Sequence, residues 1–172
     1  DHREGVRQFF QDRLRVMLRD AGYTTLEVDA VLALNPEKLD ELPKRLAAVR
    51  AFMALPEAEA LTAANKRIGN ILKKIEGEVP TVVNEALLAE DAEKQLFAAI
   101  NDVEPKALQH FAAGEYEQML ATLAVLRGPV DSFFDNVMVN AEDPALRATR
   151  QALLKRLYDV MNKVAEIARL AK

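Results

Sequence analysis

The chain has 172 residues, half of them hydrophobic, with only 6 Gly and 7 Pro and a formal net charge of −4. That is one domain's worth of chain, and a composition rich in Ala and Leu but poor in Gly and Pro excludes collagen-like, disordered and β-sandwich architectures. With no cysteine there is no disulfide scaffold, thiolate zinc site, iron–sulfur cluster or thiol nucleophile, and no apolar run nears the ~20 residues that span a bilayer, so cytoplasmic residence is expected.

The apolar residues recur with helical period almost throughout, punctuated by Pro and Gly. The chain opens at Asp1-His2-Arg3 without an initiator Met and already in that period, and reads as a fragment of something longer. The first helix is expected over Arg3 to Ala21, with Val6, Phe9, Phe10, Leu14, Met17 and Leu18 on its inner face and Gly22 as its stop. A short helix, Leu26 to Leu34, follows Thr24-Thr25. Glu37 to Leu55 is the next, with Leu39, Leu42, Leu46, Val49, Phe52 and Met53 inward and Pro43 as a kink or split. Pro56 opens a helix that runs to about Ile75 and closes at Gly77. Residues 78–90 read as a loop with one short turn. Helical period resumes from Asp91 through Phe111, with a break at Pro105, and again from Glu115 to Leu126. A compact segment from Pro129 to Val139 leads to a long last helix, Pro144 to about Ala171. No β-branched alternating run occurs. The expectation is an all-α bundle: one helical domain over 1–172, with N-terminal helices in 1–76 and a second group in 91–172.

Charge is unevenly spread. Residues 1–75 carry 13 basic and 11 acidic side chains, 76–117 carry 2 and 10, 118–146 carry 1 and 4, and 147–172 carry 7 and 2. An acidic total therefore coexists with local basic surfaces, and nucleic acid remains a possible ligand. Catalytic constellations are missing. The two histidines, His2 and His110, have no partner at metal-ligand spacing, the carboxylates read as solvated helix faces, and there is no phosphate loop or Ser-centred elbow.

The helix up to Ile75 is more informative. From Leu61 to Ile75 it carries Lys66, Arg67, Lys73 and Lys74 and no acid. At 100° per residue these four and Asn70 fall within about 120° of one another, opposite Leu61, Ile68, Ile71, Leu72 and Ile75. Such a strip suits phosphate contacts, with Asn70 able to donate to a phosphate or a base edge. The spacing alone equally allows a solvated lysine face. In the last helix Asp143 is a good N-cap and Pro144 a good first residue. Arg147, Lys155, Arg156, Lys163 and Arg169 lie outside its apolar stripe, whereas Arg150 falls inside it. A buried guanidinium needs an acidic partner. Asp131 and Asp135 are the nearest in sequence.

The run Asp143-Pro144-Ala145-Leu146-Arg147-Ala148-Thr149-Arg150-Gln151-Ala152-Leu153-Leu154 resembles the D-x-A-L-R-x-x-R-x-x-L-L signature of DALR anticodon-binding domains of aminoacyl-tRNA synthetases. Phe133-Phe134-Asp135-Asn136-Val137-Met138-Val139 resembles a segment near the C-terminus of bacterial glycyl-tRNA synthetase β subunits. Asp12-Arg13-Leu14-Arg15, Gly22-Tyr23, Asp29-Ala30-Val31-Leu32-Ala33-Leu34 and Ala64-Asn65-Lys66-Arg67-Ile68-Gly69-Asn70-Ile71-Leu72 agree with the same family, in family order. The family often has Met where Asn140 stands and Asn-Arg-Leu where Thr149-Arg150-Gln151 stands.

The resemblance implies a C-terminal helical domain that grips the anticodon stem-loop of tRNA(Gly) and works with the rest of the β subunit and a separate α subunit that holds glycine and ATP. It implies no catalytic residue, metal or cofactor within this chain, ATP being used by the whole enzyme, and no membrane or DNA partner. The residues expected to face tRNA are Lys66, Arg67, Asn70, Lys73, Lys74, Arg147 and Lys155. Two alternatives stand beside this reading: the equivalent domain of an arginine–tRNA ligase, and a helical protein-interaction module using the acidic stretch 76–117.

Overall fold

A computed structural model describes residues 2–171 and is all-α, with no strand among them. Its α-helices are α1 (His2–Asp20), α2 (Thr25–Leu32), α3 (Leu42–Met53), α4 (Ala58–Lys73), α5 (Asp91–Ala112), α6 (Tyr116–Leu123), α7 (Arg127–Asn136) and α8 (Pro144–Met161), supplemented by short 3₁₀ turns. None of these helices is long and apolar enough to cross a membrane. The core is built where their apolar stripes meet: Leu46 from α3, Leu61 and Ile68 from α4, Leu96 and Ile100 from α5, Met119 from α6, Phe133 from α7, and Leu153 and Leu157 from α8 are all fully enclosed. Burying each such side chain contributes about 1.5–3 kcal/mol.

Local signals set most helix starts. Thr24 caps α2 by accepting the Glu27 N–H (3.1 Å), while the Glu27 carboxylate accepts the Thr24 N–H (2.7 Å), a reciprocal capping box. Pro43 sits in the first turn of α3, where its missing N–H costs nothing, so it opens the helix rather than kinking it. Asp143 caps α8 by accepting from Ala145 N–H at 2.8 Å and Leu146 N–H at 3.4 Å.

Four expectations are corrected by tertiary structure. First, Pro105 does not break α5, which runs unbroken from Asp91 to Ala112. The ring is on the exposed side, and Val103 and Ala107 hold both flanking turns in the core. Second, Arg127-Gly128-Pro129 does not end a helix. A 3₁₀ turn over Ala124–Leu126 leads straight into α7, whose first turn accommodates Pro129.

Third, the last helix stops at Met161 rather than continuing to Ala171. Asn162 turns the chain, its side chain donating to Tyr158 O (2.8 Å) and accepting Ile167 N–H (2.8 Å). The buried Arg45 then takes the carbonyls of Lys163 and Val164, each at 2.8 Å, and Glu166 N–H donates to Ala30 O at 2.8 Å. The apolar residues Val164, Ile167 and Leu170 are buried as their spacing suggests, but they reach the core from a non-α segment laid between α2 and α4.

Fourth, α1 has no buried residue. Only Leu14 and Leu18 of its expected inner face pack against the core, while Val6, Phe9, Phe10 and Met17 are exposed, joined by Val16.

Candidate nucleic-acid interface

The basic strip of α4 does not stand on an open convex surface. It forms one side of a cleft of about 820 Å³ whose other side is the start of α8 and the loops around it. Lys66, Arg67, Asn70 and Lys74 from α4 and the turn after it meet Arg147 and Gln151 from α8, over a partly apolar floor that includes Ile71 and Ala148. Glu76, Glu78, Pro80 and Asn140 also line it.

Each wall is held by identifiable contacts. The two helices approach closely where α4 has no side chain: a Cβ on Gly69 would stand 3.4 Å from the Tyr158 ring. Burial raises the Tyr158 phenol above its usual pKa and keeps it neutral there. The loop before α5 is tied to α8 by the Asn84 N–H, which donates to the buried Thr149 hydroxyl at 3.0 Å. Arg147 donates to Ala141 O at 3.1 Å, which half-fixes it, and among the described residues it has no acid partner.

Arg150 is buried, as its position in the apolar stripe requires, but not with the partner expected. Neither Asp131 nor Asp135 pairs with it. Asp131 faces Arg127 on the surface (3.4 Å), and Asp135 is exposed. The acid is Glu93 of α5, fully enclosed, whose Oε1 accepts from Arg150 Nη2 at 3.0 Å and from Glu90 N–H at 3.0 Å. Arg150 Nη1 also donates to Met138 O at 2.7 Å, which ties the segment leading to Asn140 onto α8. In sequence Glu93 reads as an ordinary acid in a first helical turn. Only the packing of α5 on α8 brings it to the guanidinium.

The surface cations fall into paired and unpaired groups, and Arg7, Arg13 and Arg19 of α1 are unpaired among the described residues, as are those of the cleft. Arg15, Arg50, Arg127, Arg156 and Arg169 each pair with a carboxylate between 2.8 and 3.4 Å. Among the described residues, Lys66, Arg67, Asn70 and Lys74 have no ion pair or hydrogen bond to their side chains. Arg67 has one neighbour of another kind, the Phe134 ring of α7, whose centroid lies 4.4 Å from its Cζ. Two of the residues expected to face tRNA do not line the cleft. Lys73 is exposed on α4 just outside it, and Lys155, one turn beyond Gln151, pairs with Asp159 at 2.7 Å. The lining by Asn140, Gln151, Glu76 and Glu78 was not legible from any one stretch of sequence, because these residues come from separate segments.

The model of the DALR anticodon binding domain matches residues 61–168. The chain belongs to that family. The match runs from α4 through α8, so both helical walls of the DALR cleft lie within it. Over nearly its whole length the chain is also similar to curated proteins named glycine–tRNA ligase β subunit. It is 63% identical to the protein of Leptothrix cholodnii over 99% of this chain and 24% of the relative. For Methylobacillus flagellatus the identity is 56% over 98% and 24%, and for Delftia acidovorans 59% over 95% and 23%. The chain thus spans about a quarter of the length of these relatives. Their name favours the glycine over the arginine ligase among the readings raised by the sequence.

Proposed function

We propose that this chain is the tRNA-gripping part of a glycine–tRNA ligase β subunit, binding the anticodon stem-loop of tRNA(Gly). The tRNA would thereby be positioned for ATP-dependent glycylation at an active site on a separate α subunit, in the cytoplasm. The remainder of the β subunit and the α subunit are its partners in that reading, and the chain itself supplies no catalytic group or cofactor site. The observation that carries it is the gathering of cations from α4 and α8 around one cleft, with no ion pair to any of them among the described residues. Long-lived pairing would leave nothing for phosphates, whereas free Lys and Arg in a concave site attract them and concentrate the field. The amides of Asn70 and Gln151 among these cations add groups able to read base edges.

The test is stem-loop binding across a salt series. Each phosphate contact releases condensed counterions, so log affinity should fall with log salt by about 0.7 per contact for single-stranded RNA. Lys66→Ala is expected to reduce that slope by about one contact and to weaken all anticodon variants alike. Asn70→Ala should leave the slope intact and change the preference among variants. An unchanged slope for Lys66→Ala would return the strip to a solvated lysine face, and salt-independent binding would favour a protein-interaction module instead.

A further inference from the structure

Arg67 differs from the other cations of the cleft in having an aromatic ring behind it. Its Cζ lies 4.4 Å from the Phe134 centroid, and Phe134 in turn meets Phe133 edge-on (5.6 Å between centroids, 80° between planes). Phe133 is fully enclosed in the core, so the guanidinium is backed by two rings anchored in the body of the protein. Other arginines also lie near rings: Arg13, 5.9 Å from the Phe9 centroid, is on α1 and does not line the cleft, and the donors of the rest are engaged. Arg50, over Tyr23 at 4.9 Å, pairs with Glu27; Arg45, over Tyr116 at 4.8 Å, binds two carbonyls; and Arg156, over Phe97 at 5.9 Å, pairs with Glu104. Among the described residues Arg67 is the arginine that combines a ring behind it, a place on the cleft wall and no hydrogen-bond acceptor.

A guanidinium is planar and weakly hydrated on its faces, and stacks on aromatic rings with its N–H groups directed outward in the plane. Phe134 lies against the Arg67 guanidinium and restrains the side chain without using any donor, while Arg67 remains exposed. A stacked guanidinium has a second face for another flat group, and in RNA loops the flat groups are unstacked bases.

Building on the anticodon-binding reading, we propose that Arg67 is a stacking platform for one splayed base of the loop, held in plane by Phe134 as its positioning residue. A lysine here would keep the charge and lose the platform, so charge and stacking separate experimentally.

The experiment uses the 172-residue chain and an RNA stem-loop with the glycine anticodon, in its intact form and with a single abasic nucleotide placed in turn at each loop position. For the wild type, one abasic position should weaken binding about five-fold or more. Arg67→Lys should weaken intact RNA by a similar factor with an unchanged salt slope, and the penalty at that abasic position should vanish. Phe134→Leu, with thermal melting to verify that it is folded, should reproduce the same loss of coupling. If Arg67→Lys binds intact RNA like the wild type, or if the abasic penalty persists in it, the platform is wrong although the cleft still binds RNA. Failure of the wild type to bind the intact stem-loop would remove the anticodon reading itself and the platform with it.

Discussion

Replacing Arg150 by Met removes the guanidinium while keeping much of the side chain's apolar length. Two hydrogen bonds go with it, a buried one to Glu93 Oε1 at 3.0 Å and a part-buried one to Met138 O at 2.7 Å. Glu93 cannot turn to water: it is 0% exposed, and its Oε2 has no hydrogen-bond partner even with Arg150 in place. The variant therefore keeps a buried carboxylate with only the Glu90 N–H against it, and breaking a buried pair in this way costs about 3–5 kcal/mol. Against a total stability of about 5–15 kcal/mol the effect is large. At about 2–4 °C per kcal/mol for a chain of this size, the melting temperature should fall by about 6–20 °C. Urea unfolding followed by far-ultraviolet circular dichroism would measure it. Arg150→Met combined with Glu93→Leu should recover much of the loss, because the stranded charge is gone. Asp131→Asn and Asp135→Asn should stay within about 0.5 kcal/mol, both acids being on the surface. A loss below about 1 kcal/mol in Arg150→Met, or a double variant no more stable than the single one, would refute the assignment of Glu93 as the critical partner.

Two further outcomes follow from other contacts. Glu27 accepts from Arg50 and from the Thr24 N–H, and its carboxyl is lowered from 4.5 to about 2, chiefly by the Arg50 hydrogen bond. An acid whose pKa is depressed on folding contributes stability above its unfolded value and loses it as pH falls, here between about 5 and 2. The loss should be about 1–2 kcal/mol, since the half-exposed Arg50 is screened by water, and Glu27→Gln should flatten that part of the pH profile. Gly69→Val would push a branched side chain into the Tyr158 ring where a Cβ already stands at 3.4 Å. It should destabilise the fold by about 1–3 kcal/mol in thermal melts and weaken stem-loop binding by parting α4 from α8. Stem-loop affinity equal to the wild type's would show that the spacing of the two helices is irrelevant to binding.

What the sequence made legible is what local chemistry decides. Thr24 and Asp143-Pro144 declare their helix starts because the atoms that satisfy the first turn lie within three residues, whereas Pro43, expected within a helix from Glu37, stands in the first turn of α3. The basic strip was legible for the same reason, as α4 alone sets the angular relation of Lys66, Arg67, Asn70 and Lys74. Features decided by distant partners were not. The end of α8 depends on Arg45 capturing carbonyls 118 and 119 residues away. Pro105 is tolerated because the neighbouring turns are buried, and the partner of Arg150 is 57 residues distant. The apolar stripe of α1 has helical spacing like the others, but spacing carries no information on whether a neighbour covers it.

The acids lining the cleft bear on kinetics as much as on affinity. A groove lined only by cations would retain any polyanion and release it slowly. Glu76 and Glu78 line the cleft together with Lys74. If the cleft takes RNA as proposed, a backbone passing over these two carboxylates is repelled. The same repulsion acts on a seated strand and lowers the barrier to its departure. For a cleft that takes RNA as proposed, two signs of charge suit repeated short visits better than a single tight one.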